Sequence, residues 1–333
     1  MGDAVMALPA ALALRARFPQ AALTVLTARG GDAIFRMAGF EDVQVAERAR
    51  WKQQPLSALW GIPRLWAQLV AGRFQLAVDL HSYIETNWLT FLAGIPRRCA
   101  MLRPTRSMPS LINLKPPPDA TDGRLVDRYC TVLEPLGIQV ANRTPSLDPP
   151  PGARAQAVEQ FTAWAREETT RPVVRGAAPV RGRSSPSPPR LGSLPALGIC
   201  PGAGHPSRRW KPEHFAALAR AAVERLGARV AVFAGPEETR RQLAAYAGLP
   251  HLRILGGLSV EELAAALALC RVVVTNPTGP SHIAAAVGAR VLTLGEIPAF
   301  DPVPRPPGRV VALRSLPAIT PAAAFAALAE LWG

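Results

Sequence analysis

Hydrophobic and polar positions alternate between two spacings along this chain of 333 residues. Some stretches repeat apolar residues at helical spacing, and others are short apolar runs typical of buried strands. The N-terminal half is predicted to hold helices at 4–18, 56–70 and 123–136 and strands at 21–27 and 75–80. The third helix should end at Gly137, because glycine readily adopts the left-handed backbone that closes a helix.

The same alternation resumes in the C-terminal part. Strands are predicted at 197–200, 229–234, 271–275 and 290–294, and helices at 212–226, 236–246, 260–269, 280–287 and 321–332. Strands that alternate with helices indicate an α/β fold with a parallel sheet covered on both faces. Two such domains are expected to face a cleft, because the loops at the carboxyl ends of parallel strands are the usual ligand sites of this class.

The periodicity disappears between residues 165 and 195. Residues 171–200 contain six prolines, four glycines and no acidic residue. Such a segment builds no core, and we predict a disordered linker or insertion, with a basic arm on anionic lipid as the alternative. The predicted domains are therefore 1–164 and 196–333. Packing of the terminal helix of the second domain against the first domain is left open.

The large net charge of the chain changes this interpretation little. The 38 basic and 24 acidic residues leave a net charge of +14, which would suit a nucleic-acid partner. Only three of the basic residues are lysine, and five arginines fall in the proline-rich segment. The excess therefore reflects an arginine-biased composition as much as a polyanionic partner. Aromatic residues are few and no basic patch is interleaved with them, so nucleic-acid binding is not expected.

Metal, disulfide and membrane-spanning signals are absent from the sequence. The four cysteines lie far apart, which is typical of reduced buried thiols in a cytoplasmic protein. The histidines lack HExxH spacing and no DxD pair occurs, so neither a metal nor a cofactor is expected. No apolar run reaches the ~18–20 residues of a membrane span, and the first residues lack the basic region of a secretory signal.

A strand-to-helix junction carries the strongest chemical signal. The segment 271–295 reads RVVVTNPTGPSHIAAAVGARVLTLG, in which a buried strand ends at Asn276 and Thr278-Gly279 opens a helix. Glycine lets a ligand approach the backbone, and the free N–H groups of a helix start attract phosphate. Many strand–helix junctions share this pattern, so a purely structural turn is the alternative.

Two neighbouring strand ends strengthen the phosphate interpretation. The segment 199–219 reads ICPGAGHPSRRWKPEHFAALA, and 232–238 reads VFAGPEE. They supply glycines for close approach, arginines for phosphate charge and carboxylates for ribose hydroxyls. The candidate residues are Gly202, Gly204, Arg208, Arg209, Glu237 and Glu238. Together the three strand ends predict a nucleoside diphosphate site.

These segments resemble family 9 glycosyltransferases, the bacterial heptosyltransferases of lipopolysaccharide core synthesis. The resemblance extends over nearly the whole chain outside the proline-rich segment. Further marks of it are GDAVMALPAALAL at 2–14, VDLHS at 78–82, AGIPRR at 93–98 and DGRLVDRYCTVLEPLG at 122–137. The resemblance implies the two-domain GT-B fold and metal-independent, inverting transfer of a sugar, typically from ADP-heptose.

The resemblance also implies roles for single residues. Asp3 matches the general base in the family's Gly-Asp motif, and the alternative is an acid that complements a helix dipole. Arg208 stands where the family usually has lysine at the leaving diphosphate. Glu237 or Glu238 matches the ribose-binding acid. Thr278, Gly279 and His282 match the phosphate-binding turn, although His282 alone would suggest a structural hydrogen bond.

Acceptor contacts are expected at a strand end of the N-terminal half. Asp79 and His81 follow the strand at 75–80, and Arg97, Arg98 and Arg103 are candidates for acidic groups of the acceptor. A solvated basic face is the alternative for the arginines. Trp51, Trp60 and Trp66 suit a membrane interface, but the helical spacing of the last two favours core packing.

The sequence departs from the family pattern at three places. The family has an apolar strand before Gly-Asp, whereas this chain begins at Met1, so the first strand of the sheet is expected to be missing. Pro277 replaces the usual aspartate of Asn-Asp-Ser/Thr-Gly-Pro, and GEIPAF at 295–300 replaces Gly-Pro-Thr-x-Pro. A degenerate nucleotide-binding relative without catalysis, or another GT-B enzyme such as a nucleotide-sugar epimerase, are therefore the alternatives.

The expected partners follow from the preferred interpretation. They are a nucleotide-sugar donor and a phosphorylated glycolipid acceptor. We expect a cytoplasmic protein, with peripheral contact at the cytoplasmic face of the inner membrane left open.

Overall fold

The structure is a computed structural model that describes residues 1–118, 123–170, 196–235, 238, 240–295 and 301–333. The chain forms two compact units. The first holds residues 1–147 and, of the described residues, 301–305, and the second holds the remainder.

The first unit repeats strand–helix–strand modules. Its helices and strands are, in chain order, α1 (Gly2–Arg17), β1 (Thr24–Ala28), α2 (Gly31–Met37), β2 (Asp42–Ala46), α3 (Arg48–Gln53), α4 (Pro55–Ala71), β3 (Leu76–Asp79), α5 (Ile84–Leu92), β4 (Arg97–Ala100) and α6 (Leu125–Thr131). The helix α1 is buried over residues 4–10 and packs against α2 and α6. The predicted helix at 123–136 is shorter in the structure, because α6 ends at Thr131. A separate 3₁₀ turn, Glu134–Leu136, follows, and Gly137 ends this turn in the left-handed region at φ 68°.

The strands of this unit form two separate parallel pairs. β1 pairs with β2, and β3 pairs with β4 so that Leu76 lies opposite Arg97. Within the described residues, no hydrogen-bonded ladder joins one pair to the other. The sequence predicts a parallel sheet that lacks its first strand. The described part of the unit contains these four strands, paired two by two.

The second unit is built on one six-stranded parallel sheet. Its elements are α7 (Pro151–Thr170), β5 (Ala196–Cys200), α8 (Pro212–Leu226), β6 (Arg229–Ala234), α9 (Arg240–Ala244), β7 (Leu252–Gly256), α10 (Val260–Ala268), β8 (Val272–Thr275), α11 (Gly279–Ala286), β9 (Arg290–Leu294), β10 (Val310–Leu313) and α12 (Pro321–Trp332). The strand order is β10-β9-β8-β5-β6-β7. Every residue of β5 and β8 is buried, which explains their uninterrupted apolar sequences.

Two details differ from the expected domain division. The helix α7 lies in the second unit and packs against α10, and it runs through 165–170, where the linker was expected to begin. Its turns around Phe161 and Trp164 are buried, and that apolar side requires a partner. The rest of the proposed linker, 171–195, lies outside the described residues. The terminal helix α12 packs on α8 and β9 of its own unit.

One packing prediction is wrong. Trp60 is 82% exposed and Trp66 is 42% exposed, so neither is a core residue. The helix α4 buries Leu65 instead, which is the residue directly before Trp66. Helical spacing shows that residues share a face, but it does not show which face is covered.

Candidate functional site

The central strands of the second unit carry the predicted nucleotide site at one edge. β8, β5 and β6 are adjacent and parallel, so the segments that follow them leave the sheet on the same side. The chain passes from β5 outward through β6 and β7 and then returns to β8 on the other side of β5. Ligands of open α/β sheets bind at such a reversal point, here between the ends of β5 and β8.

Asn276 connects these two strand ends. It is completely buried directly after β8, and its Nδ2 donates to the carbonyl oxygens of Pro201 at 2.6 Å and Gly202 at 3.4 Å. Its Oδ1 accepts from the backbone N–H of Trp210 at 3.0 Å. Both ends of the glycine-rich loop 201–210 are thus fixed by one side chain. In the sequence, Asn276 marks only a strand end, because its partners in the loop lie 66 to 75 residues away.

Glu238 connects the third strand end to the same loop. A Cβ placed on Gly202 would collide with Oε1 of Glu238, and one on Gly235 would lie 2.8 Å from its Oε2. The carboxylate therefore lies against the backbone of both glycines, and a side chain at Gly202 would displace it. The structure thus brings Gly202 and Glu238 together, while Glu237 lies outside the described residues.

The helix α11 begins beside this loop with the expected motif. Thr278 is its N-terminal flanking residue, and the carbonyl oxygen of Thr278 accepts from the backbone N–H and the hydroxyl of Ser281. Gly279 is its first residue. His282 is buried and is held by interactions within the protein, so its burial fits the structural alternative; a direct ligand contact stays a prediction.

Pro277 lies between Asn276 and this helix start. A Cβ on Gly295 would lie 3.3 Å from Cδ of Pro277, so the ring packs against the backbone at the end of β9. The position that is expected to carry an aspartate therefore has an apolar contact. The remainder of the variant segment, 296–300, lies outside the described residues.

The cationic candidates differ in exposure. Arg208 ends a short 3₁₀ turn, Pro206–Arg208, and is exposed. Arg209 is half-buried, and its Nε donates to the carbonyl oxygen of Ala203 at 2.8 Å. Gly204 has open space above its Cα. Arg208 is thus the more accessible of the two guanidinium groups, whereas Arg209 supports the loop.

A second cluster lies at the end of β3 in the first unit. The Asp79 carboxylate accepts from the backbone N–H of Ser82 at 2.7 Å, from the Thr86 hydroxyl, and from Nδ2 of Asn87 at 3.4 Å. Burial raises the pKa of the Asp79 carboxyl above its usual value. These bonds give Asp79 a positioning role in the turn before α5, and its contact with an acceptor stays a prediction.

His81 is placed with the predicted base. A hydrogen bond of 2.7 Å joins its Nδ1 to the Tyr129 hydroxyl, and its carbonyl oxygen accepts from Nη1 of Arg103 at 3.0 Å. Burial lowers the pKa of His81, while the negative charge of Asp3 acts in the opposite direction. The pKa of Tyr129 is raised mainly by burial and further by the negative charge of Asp3. The side chains of Asp3, His81 and Tyr129 therefore lie within electrostatic reach of one another.

This cluster joins residues that sequence reasoning treated separately. Asp3 is exposed in the first turn of α1, which suits both a base and a partner of the helix dipole. Tyr129 was not among the predicted residues. It lies in the quoted motif 122–137, and its buried aromatic ring gave no sign of a hydrogen bond across 48 residues of sequence.

The two adjacent arginines on β4 have different surroundings. Arg97 is exposed. Arg98 donates to the carbonyl oxygens of Leu111, at 2.8 Å, and Ile95, and its guanidinium lies 5.3 Å from the centre of the Phe91 ring. Arg98 is therefore occupied by its own unit, and Arg97 is the freer candidate for an acidic ligand.

The described residues contain no group of three His, Cys, Asp or Glu side chains placed to hold a metal ion. No helix among them is long and apolar enough to cross a membrane.

The fold defines the class of protein. The chain has the GT-B architecture of two α/β units, of which the second is built on a six-stranded parallel sheet. The model of glycosyltransferase family 9 (heptosyltransferase) matches residues 62–295. This chain belongs to that family.

Known relatives agree with this assignment. A lipooligosaccharide heptosyltransferase 2 of Haemophilus influenzae is 35% identical over 111 residues, 31% of this chain and 32% of that protein. The chain thus matches about a third of the length of that curated relative. A family 9 glycosyltransferase of Veillonella parvula has a TM-score of 0.77 at 18% identity, covering 99% of this chain and 94% of that one. An Escherichia coli heptosyltransferase solved with ADP has a TM-score of 0.73 at 19% identity, covering 99% and 97%.

Proposed function

We propose that this chain is an inverting, metal-independent glycosyltransferase that transfers a heptose or similar sugar from a nucleotide sugar to a lipopolysaccharide-core-type acceptor. ADP-heptose is the preferred donor, because a solved relative holds ADP. The proposal rests on one observation. Gly202, Glu238 and the Thr278-Gly279 helix start all lie at the strand ends around β5 and β8, where the strand order of the six-stranded sheet reverses.

Each group at this edge has a chemical task. The backbone of the glycine loop and the N–H groups at the start of α11 suit the diphosphate, and Glu238 suits the ribose hydroxyls. Arg208 is assigned to the leaving diphosphate, whose negative charge grows as the bond to the sugar breaks. An exposed guanidinium can supply this charge stabilisation in the proposed mechanism without a metal.

Asp3 is assigned as the general base. In this step the acceptor hydroxyl oxygen attacks the anomeric carbon while its proton passes to the Asp3 carboxylate. The bond between the anomeric carbon and the donor phosphate oxygen breaks, and its electron pair leaves with the nucleoside diphosphate. A single displacement of this kind inverts the anomeric configuration. His81 and Tyr129, in hydrogen-bond contact, are assigned to orient the acceptor.

The proposed acceptor is a phosphorylated glycolipid. Arg97 is exposed at the amino-terminal end of β4, opposite Leu76 and at the other end of the strand pair from Asp79. It suits an acidic group in a distal part of the saccharide, with Asp79 and Arg98 acting through the local structure. A lipid-linked acceptor also implies a cytoplasmic enzyme that makes peripheral contact with the inner membrane.

The test separates donor binding from transfer. Asp3→Asn should leave the affinity for ADP, measured by calorimetry, unchanged and should lower kcat with ADP-heptose and a lipopolysaccharide-core acceptor by at least about 100-fold. Nuclear magnetic resonance of the product should show the inverted anomer, and chelators should not lower the rate. Glu41→Gln, an exposed acid in the same unit, is the matched control and should keep the wild-type rate.

Two results would overturn parts of the proposal. Unchanged turnover in Asp3→Asn would remove Asp3 as the base. ADP binding by the wild type without transfer from any nucleotide sugar would favour the degenerate alternative, which Pro277 motivates.

A further inference from the structure

The helix α4 exposes an apolar stripe on the side opposite its buried one. Leu65 points into the unit, whereas Leu56 and Leu59 are 78% and 66% exposed. The stripe continues along the helix at spacings of three and four residues through Leu56, Leu59, Pro63, Trp66 and Val70, and Trp60 lies at its margin. A surface helix normally carries polar residues on this side, so α4 is apolar on both faces.

A second apolar stripe lies on the helix that α4 contacts. On α5, the side chains of Ile84, Trp88, Phe91 and Leu92 are all exposed, at the spacing of one helix face. The rings of Trp88 and Phe91 pack edge to face with their centres 6.0 Å apart. We name the exposed apolar residues of these two helices the α4–α5 face. Because α4 and α5 are in contact, the two stripes lie on neighbouring helices. Clustered exposed apolar side chains of this kind mark a docking site.

The charges that flank the α4–α5 face are mostly positive, and the two acids near it, Glu47 and Glu85, are each paired with an arginine. Residues 48–78, which include the whole of α4, contain five basic residues and no acidic one. Of these, Arg50, Arg64 and Arg73 are exposed. The acid of α5, Glu85, forms an ion pair with Arg48 at 3.0 Å, so its charge is compensated within the protein.

We propose that the α4–α5 face docks on an anionic lipid bilayer. Tryptophan, leucine and phenylalanine on a helix flanked by arginine are the side chains that enter the boundary between lipid headgroups and acyl chains. The exposed arginines lie where they can meet anionic headgroups. The inference deepens the proposed function and rests on it for one point only, that the acceptor is a glycolipid.

A second copy of this chain is a poorer occupant. In a symmetric dimer built on this face, each copy would present the same arginines to its partner, and like charges would meet. An anionic bilayer compensates the same charges instead.

Vesicle binding tests the proposal without donor or acceptor. The full chain is mixed with vesicles of phosphatidylcholine alone or with 30% phosphatidylglycerol, as a test composition, and sedimented. Binding should be at least about tenfold stronger to the anionic vesicles, because each of the three exposed arginines contributes up to about fivefold. Quenching of tryptophan fluorescence by brominated acyl chains should accompany it.

Two variants separate the apolar and charge contributions. Leu59→Ser/Trp66→Ser should weaken binding to anionic vesicles about tenfold or more, since two apolar side chains no longer leave water. Arg64→Gln changes an exposed side chain only and should weaken binding by up to about fivefold. The matched control is Val158→Ser on α7, which is 49% exposed and belongs to the second unit. It should bind as the wild type does.

The results that overturn the inference are specific. Equal binding to both vesicle types, wild-type binding by Arg64→Gln, or wild-type binding by a folded Leu59→Ser/Trp66→Ser variant would each contradict it. A dimer in sedimentation velocity that the double variant abolishes would assign the face to a second copy instead. Because the vesicles contain no acceptor, strong binding by a protein without transferase activity would refute the proposed function and support this inference.

Discussion

At the scale of single residues, the nucleotide edge depends on contacts between distant parts of the chain. Asn276 holds the loop that begins 75 residues earlier, and Glu238 lies against Gly202. Each of these side chains supports backbone that the proposed donor would approach. Residues that shape such a loop affect ligand affinity without touching the ligand.

The first prediction concerns Asn276. Asn276→Ala leaves buried carbonyl and N–H groups of the loop without partners, and the free energy of unfolding should fall by about 1–3 kcal/mol. We expect the affinity for ADP to fall about tenfold, equivalent to about 1.4 kcal/mol, because the loop loses its fixed ends. Calorimetry with ADP and urea unfolding measure the two effects.

Its control is Asn142→Ala, which changes an exposed asparagine in the first unit that bonds only locally, to the N–H of Thr144. This variant should keep the affinity for ADP. If Asn276→Ala bound ADP as tightly as the wild type, the loop would not depend on Asn276 for its ligand-binding shape.

At the scale of elements, the bounds of helices and strands are predicted best where one face is buried. The strands at 229–234 and 290–294 and the helices at 212–226 and 321–332 have the predicted bounds, because their apolar patterns are continuous and their ends carry proline or glycine. The predicted helix at 236–246 is present over Arg240–Ala244.

Properties that depend on packing partners could not be predicted in the same way. The stripe of α4 has the periodicity of a core face, and only the three-dimensional structure shows that Leu65 is covered while Trp60 is not. Likewise, the motifs identified Gly202 and Glu238 as candidates, but the bond between His81 and Tyr129 required the fold. Local sequence carries no information on which distant side chains meet.

The second prediction concerns the start of α10. The Ser259 hydroxyl accepts from the N–H of Glu262 at 3.1 Å, and the Glu262 carboxylate accepts from the N–H of Ser259 at 2.7 Å. Ser259→Ala removes half of this capping box and should lower the free energy of unfolding by about 1 kcal/mol. Urea unfolding followed by circular dichroism measures the loss.

The comparison is Glu261→Gln in the same turn. Glu261 belongs to the first turn of α10 but not to the capping box, so its replacement should cost only about 0.3 kcal/mol through the helix dipole. An equal or larger loss in Glu261→Gln would show that charge, and not the paired hydrogen bonds, stabilises this helix start.

At the scale of the whole molecule, the four cysteines can report the unfolding of each unit, because two of them are buried in each. Cys99 and Cys130 lie in the first unit, Cys200 and Cys270 lie in the second, and all four are buried and free. Burial raises the pKa of Cys99 to about 12 and that of Cys130 to about 11. The pKa of Cys270 is about 12 for the same reason.

The third prediction follows from these reporters. The thiolate is the reactive form, so at pH 8 a thiol with a pKa near 11 is only about 0.1% reactive and is also shielded from reagent. Native protein should therefore resist N-ethylmaleimide, and labelling should begin when a unit unfolds. Because each unit has its own core, we expect the two pairs to become reactive at separate urea concentrations.

Ser259→Ala makes this prediction decisive. The variant weakens only the second unit, so mass spectrometry should show Cys200 and Cys270 labelled at lower urea than in the wild type, while the midpoint for Cys99 and Cys130 stays fixed. If all four midpoints moved together, the two units would unfold as one cooperative body. Independent units would instead allow each proposed site, for donor and for acceptor, to lose its structure without the other.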